Sequence, residues 1–235
     1  MRPLRKAADF VVDLLEKEGL DRQHRFRQMC QALSGPGHMI QPGDDGFAAA
    51  QEAFRDMRLM EFCLNWLWGA VDMNALRRKL ELATKDEVNP TRRSNRGSLG
   101  RDTQSELFVA AICQAAGLKP RFAEPDIIIS VGGEEIGIAV KRPRGERALD
   151  KRIREGISQV LHSGRPGVVV VDGTLLCNPE NLVVDGKVPL AQLSDAACSY
   201  VRRLDRERMG RWKSAVQGAA LIAIVFQFHI IQSGS

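Results

Sequence analysis

An aspartate and a lysine stand at the outer ends of two neighbouring β-branched segments. Asp126 begins the segment 126–131, and Lys141 ends the segment 136–141. The Gly-Gly pair between them predicts a hairpin, so the carboxylate and the amine can meet at one edge of a sheet. A carboxylate suits a hard cation such as Mg²⁺, and an adjacent lysine can activate an attacking water and stabilise charge on a phosphate. These two side chains therefore predict metal-assisted chemistry.

The segments around this pair alternate between helical and strand patterns. A helix is expected from Asp102 or Thr103 to Gly117, because a capping residue opens it and a C′ glycine closes it. A strand near 120–122, the hairpin, a helix over 146–161, a strand over 168–171, a helix over 194–213 and a strand over 219–230 follow. The predicted order is α-β-β-β-α-β-α-β, which is an α/β fold with one sheet.

The first third of the chain has a different pattern. Apolar residues fall at helical spacing from residue 3 to residue 85, which predicts four or five short helices. The polar, basic stretch 89–100 carries Pro and Gly and is typical of an exposed linker. We therefore expect a helical domain over 1–88, a linker over 89–100 and an α/β domain over 101–235. The helical domain could bind a protein partner, form a homodimer or contribute specificity.

Four features in this order resemble the PD-(D/E)xK nuclease superfamily, which has the restriction-endonuclease-like fold. They are Glu106 on the helix that opens the α/β domain, Pro125-Asp126 before a strand, Lys141 at a strand end, and Gln159 on the helix after that strand. The resemblance covers about residues 100–230. It implies that Asp126 binds Mg²⁺ or Mn²⁺, that Lys141 assists the attacking water, and that Glu106 helps to hold a metal. It also implies that Gln159 lies near the same site.

The sequence departs from the family pattern at one catalytic position. Ala139 stands where the family has an acid two residues before the lysine, and a methyl group cannot bind a metal. A deliberate substitution could have removed the acid. Alternatively, the acid could have moved to the next helix. Glu155 lies there one turn before Gln159, so the two side chains share a face. As a third account, the chain is a nuclease-derived binding module that no longer cuts.

Basic residues flank the predicted site. The residues expected to contact nucleic-acid phosphates are Arg96, Arg142, Arg144, Arg147, Lys151 and Arg154. A second basic run, residues 202–213, is interleaved with Asp205 and Glu207 and is interpreted as a solvated helix face. These basic residues predict a nucleic-acid partner beside the catalytic edge without choosing between DNA and RNA, and the family resemblance implies DNA.

Composition is that of an ordinary folded protein. The 235 residues are 44% apolar and 27% charged with a net charge of +5, which argues against a disordered or fibrous chain. The five cysteines form no CxxC pair, and the N-terminus lacks the apolar core of a signal peptide, so a cytoplasmic protein with reduced thiols is expected. The most apolar stretch, 219–231, is too short for a membrane helix and predicts a buried strand.

The function expected from the sequence is Mg²⁺-dependent hydrolysis of DNA phosphodiester bonds. The resemblance implies a role in genome defence, including antiviral defence, or in DNA processing. The alternative is a catalytically inactive DNA-binding or scaffold module on the same fold.

Overall fold

The structure is a computed structural model that describes residues 2–20, 25–34, 45–86, 99–178, 187–216 and 220–229. It divides into two compact units, Met1–Arg121 and Phe122–Ser235. The helices of the first unit are α1 (Arg2–Lys17), α2 (Arg25–Ser34), α3 (Asp45–Leu67), α4 (Met73–Ala83) and α5 (Leu99–Ala115). The sequence predicted four or five helices before residue 88, and the structure describes four there, α1–α4.

A buried polar network shows why α5 belongs to the first unit. Arg25 on α2 is ion-paired with Asp56 on α3 at 2.8 Å and donates to the carbonyl oxygen of Ala83 at 2.7 Å. Gln104 on α5 accepts a hydrogen bond from Arg25 and donates one to the Asp56 carbonyl oxygen at 2.9 Å. The boundary between units therefore follows α5, whereas the sequence interpretation put it before this helix. Most of the predicted linker, residues 89–98, lies outside the described residues.

The second unit contains a five-stranded mixed sheet in the order β1-β2-β3-β4-β5. Its elements are β1 (Arg121–Ala123), β2 (Asp126–Val131), β3 (Glu134–Lys141), α6 (Glu146–His162), β4 (Gly167–Asp172), α7 (Thr174–Cys177), α8 (Leu190–Ala215) and β5 (Leu221–Gln227). β2 and β3 are antiparallel, and β3, β4 and β5 run parallel. The predicted α/β class is confirmed, and the short helix α7 is an addition that the sequence reading did not include.

The hairpin forms where the glycines allow it. Gly132 and Gly133 have φ values of +60° and +89°, which residues with a side chain rarely adopt, so the two-residue turn requires glycine. The parallel arrangement of β3 and β4 brings their carboxyl ends to one sheet edge, and β2 starts at that same edge. The turn and the helix α6 together determine which side chains meet there.

The apolar stripe of α6 packs against the sheet. The core of this layer contains Ala139, Leu149, Ile153, Ile157, Val169, Leu204 and Trp212. The last strand, β5, is at the end of the sheet order, and its Val225 is 45% exposed, so the prediction of a buried strand was wrong for this position. Among the described residues, no helix is both long and apolar enough to cross a membrane.

Candidate active site

The hairpin brings Asp126 and Lys141 together at the sheet edge. Ile127 pairs with Ile138, so Asp126 lies beside the end of β3. Oδ2 of Asp126 accepts a hydrogen bond from the backbone nitrogen of Val140 at 2.7 Å. The Nζ atom of Lys141 is 3.4 Å from the same oxygen, and both side chains are only 12% exposed. A carboxylate with one anchored oxygen and a largely desolvated amine therefore share this edge.

Helix α6 adds six polar side chains to the surroundings of Lys141. A cavity of 620 Å³ is lined by Lys141, Lys151, Arg152, Arg154, Glu155, Ser158 and Gln159. The Nε2 atom of Gln159 donates to the carbonyl oxygen of Pro125 at 3.4 Å, which ties the side chain to the residue before Asp126. The structure thus gathers Lys141, Glu155 and Gln159 around one cavity, with Asp126 in contact with the lysine.

The amide oxygen of Gln159 is an unsatisfied hydrogen-bond acceptor. Its Oε1 atom is buried and has no hydrogen-bond partner among the described residues. A buried acceptor without a partner costs free energy, on the order of 1–3 kcal/mol, so such an atom is expected to accept from a ligand or water. Gln159 lines the cavity, so a water or ligand that reached this buried oxygen would supply the missing hydrogen bond.

The oxygen atoms of these side chains fit a hard divalent cation. Mg²⁺ prefers oxygen ligands, keeps several waters and uses one or two protein carboxylates. Asp126 and Glu155 supply carboxylates and Gln159 supplies an amide oxygen, whereas the described residues contain no cluster of three His, Cys, Asp or Glu side chains. A cation here would therefore depend on two carboxylates and water, and the amide oxygen of Gln159 could accept a hydrogen bond from such a water.

Glu155 is held by weak surface ion pairs. Its carboxylate lies 3.0 Å from Arg152 and 3.8 Å from Lys151, and the Glu155 side chain is 38% exposed. Exposed pairs contribute about 0–1 kcal/mol, so their rearrangement costs little free energy. The carboxylate can consequently turn from these cations toward a ligand in the cavity.

Position 139 faces an apolar environment. Ala139 has no exposed surface and packs in the cluster that includes Leu149, Ile153 and Ile157. Alternate residues of a strand share a face, so Ala139 and Lys141 point to the same side, toward α6. A carboxylate at position 139 would lose its hydration among aliphatic side chains, a large cost unless it were paired.

Glu106 belongs to the first unit. It lies on α5, and its carboxylate forms an ion pair with Lys79 on α4. The other candidate catalytic residues, from Asp126 onward, lie in the second unit. The candidate site at the sheet edge consists of Asp126, Lys141, Glu155 and Gln159. The metal-binding role of Glu106 stays a prediction.

The predicted phosphate-binding residues have different environments. Arg142 is buried and lies 3.4 Å from Asp172, so it is not available at the surface. The sequence prediction of phosphate binding therefore does not suit Arg142. Lys151 and Arg154 line the cavity, and Arg144 and Arg147 are exposed. Arg96 lies outside the described residues.

The buried ion pair of Arg142 and Asp172 lies next to the end of β3 that carries Lys141. Burial alone would raise the pKa of Asp172, but the Arg142 guanidinium, His229 and a hydrogen bond from Thr174 hold that pKa below its usual range. The acid is therefore ionised at neutral pH. Because Arg142 follows Lys141 directly, the pair fixes the backbone at the end of β3.

Gly156 is a further residue of this site that sequence reasoning missed. A β-carbon at this position would lie 2.8 Å from Cγ1 of Val169 and 3.3 Å from Cγ of Lys141. Glycine therefore lets α6 approach the strand that carries the lysine. The available signal was its position in the helix: Gly156 lies three residues after Ile153 and four before Val160, on the buried face.

No protein-family model matches the sequence, and no curated protein or solved structure matches the chain. A functional conclusion for this chain therefore rests on the chemistry of its own residues.

Proposed function

We propose that this chain is a Mg²⁺- or Mn²⁺-dependent DNA endonuclease with a restriction-endonuclease-like catalytic domain, in which Glu155 on α6 replaces the acid absent from β3. One observation carries the proposal: Lys141, Glu155 and Gln159 converge on one cavity while Asp126 contacts the lysine. The apolar surroundings of Ala139 favour a displaced acid over one removed from this position. A role in genome defence or DNA processing is consistent with this chemistry.

Each side chain has a distinct part in phosphodiester hydrolysis. A bound cation polarises the phosphate and lowers the pKa of water. The carboxylates of Asp126 and Glu155 would hold this cation, and Gln159 Oε1 would accept a hydrogen bond from the attacking water. Lys141 Nζ, held near Asp126 at 3.4 Å, stabilises negative charge that develops on the phosphate oxygens. The water adds a hydroxyl to phosphorus, and its proton leaves with the departing oxygen.

A second candidate function is a DNA-binding or scaffold module that has lost catalysis. It is favoured by the absence of a three-ligand cluster of His, Cys, Asp or Glu among the described residues. It is also favoured by the existing ion pairs of both carboxylates. In such a module Lys141 and the basic face of α6 would bind phosphate without activating water.

Cleavage assays separate the two functions. Supercoiled and linear DNA are incubated with the full chain in Mg²⁺ and in EDTA, together with the D126N, K141A and E155Q variants. We expect cutting only with metal and a loss of about 100-fold or more in rate for each variant, because each removes a ligand or charge used in the transition state.

The control is E207Q, which makes the same chemical change on an exposed position of α8. It is expected to cut at the wild-type rate. Metal-dependent cutting that survives E155Q would remove Glu155 from the site. A wild-type chain that binds DNA without cutting it would favour the binding module.

A further inference from the structure

A second cavity adjoins the candidate active site at Arg154. It has a volume of 420 Å³, lies between α6 and α8, and is lined by Asp150, Arg154, Arg211, Trp212, Ser214 and Ala215. Arg154 also lines the first cavity, so one arginine borders both. A chain-like ligand that occupies the first cavity can therefore continue into the second.

The second cavity has a fixed arrangement of charges. Asp150 accepts a hydrogen bond from Nε1 of Trp212 at 3.1 Å and from Nη1 of Arg211 at 3.2 Å, and it pairs with Arg208 at 3.3 Å. Arg208 lies outside the lining and is also paired with Glu146 at 3.2 Å, so the charges that line the cavity are one carboxylate, Asp150, and two guanidinium groups, Arg154 and Arg211. The surplus of positive charge suits an anionic ligand.

Both cavity-lining arginines present donors to a ligand. Arg154 donates through Nε to the carbonyl oxygen of Asp150 at 3.2 Å, which leaves its two terminal amino groups without a protein partner among the described residues. Arg211 uses one amino group for Asp150, and its side chain is 74% exposed. A planar guanidinium with free donors matches the geometry of a phosphate group.

We propose that the cavity between α6 and α8 binds a backbone phosphate of the same nucleic-acid strand that enters the candidate active site, through Arg154 and Arg211. This inference rests on the proposed function, because continuity with the Lys141 cavity identifies the anion as a nucleic-acid backbone and not an acidic peptide. It revises the interpretation of the α8 basic run: its C-terminal part forms a phosphate subsite, beyond the cleavage position.

Binding measured without cleavage tests the subsite. The affinity of the full chain for a short labelled DNA duplex is measured by fluorescence anisotropy in Ca²⁺ over a range of salt concentrations. R154A and R211A are each expected to weaken binding about tenfold, since each removes charged hydrogen bonds. Each should also reduce the slope of log affinity against log salt by about 1, for duplexes of any sequence.

Matched variants make the test specific. R206A removes an exposed arginine of the same helix outside the cavity and should leave affinity and slope unchanged, and R211K should restore most of the slope. An R211A variant that binds like R206A would overturn the subsite, as would a wild-type chain that binds acidic peptide but no duplex. If R154A and R211A weaken binding while the wild type never cuts, the subsite stands and the nuclease function fails. If the wild type cuts DNA and R154A and R211A bind it as the wild type does, the nuclease function stands and the subsite fails.

Discussion

At the scale of single residues, the side chain at position 139 determines whether β3 could supply a metal ligand. Ala139 is fully buried beside Leu149 and Ile153, so the local environment suits a methyl group. Glu155 lies on the neighbouring helix at the wall of the cavity that contains Lys141. An acid on α6 can reach this cavity with part of its surface in water, whereas position 139 on β3 has no exposed surface.

We expect A139E to lower the free energy of unfolding by more than about 3 kcal/mol, because it buries a charged or neutralised carboxyl among aliphatic side chains. Urea denaturation measures this change, and a cleavage assay on the folded fraction should show no gain over wild type. A196E, which adds the same residue at an exposed position of α8, serves as the control and should change stability by less than about 0.5 kcal/mol. A stable A139E protein with increased cleavage would instead indicate a silenced enzyme.

At the scale of elements, the contact between α6 and β3 sets the position of Lys141. Gly156 allows this contact because its missing β-carbon would lie 2.8 Å from Val169, whose short branched side chain has little freedom to move. The same atom would press on the lysine stem at 3.3 Å. Gly156 thus allows the close approach between the helix and the strand that carry proposed catalytic residues.

We expect G156A to reduce the cleavage rate at least about tenfold, since a displacement of the lysine by a fraction of an ångström weakens transition-state contacts. Its net effect should be a loss of about 0–2 kcal/mol in the free energy of unfolding, because crowding that costs about 1–3 kcal/mol is only partly offset by about 1 kcal/mol of helix propensity. G210A is the matched control: a β-carbon there meets nothing within 4 Å, so it should stabilise α8 without changing the rate. Equal rates for G156A and wild type would exclude the positioning role.

At the scale of the whole molecule, each compact unit contains a buried ion pair. Arg25 and Asp56 join the helices of the first unit, and Arg142 and Asp172 join β3 to β4 in the second. Removing one partner of a buried pair costs about 3–5 kcal/mol, because the other charge stays buried without compensation. These pairs therefore matter to folding whatever the activity of the chain.

The second pair predicts a pH dependence. The pKa of Asp172 is lowered in the folded state, against burial, chiefly by Arg142. Its contribution is therefore complete above the unfolded value of about 4 and is lost as pH falls through the lower folded pKa. We expect D172N to destabilise β3 and β4 by about 3–5 kcal/mol at neutral pH, with a smaller difference from wild type below about pH 4. Amide hydrogen exchange in these strands measures both, and a pH-independent difference would contradict the ionised pair.

Local patterns in the sequence determined most elements of the second unit. Enrichment in β-branched residues and the Gly-Gly turn predicted the hairpin, and the apolar stripe of residues 146–161 predicted α6 within one residue of its end. The pairing of Asp126 with Lys141 followed from that hairpin, since register in a two-residue turn is set locally. Spacing on α6 likewise predicted that Glu155 and Gln159 share a face.

Contacts between distant segments were decided only by the tertiary structure. The burial of Ala139 and Arg142, the approach of α6 at Gly156 and the Arg154–Arg211 cavity all join residues from different elements. The assignment of α5 to the first unit depends on Gln104 meeting Arg25, which lies 79 positions away. Periodicity records which face of an element is apolar, but it contains no information on which neighbour covers that face. For this reason the sequence alone could name the candidate residues, whereas only the packed structure could separate those at the cavity from those in the core.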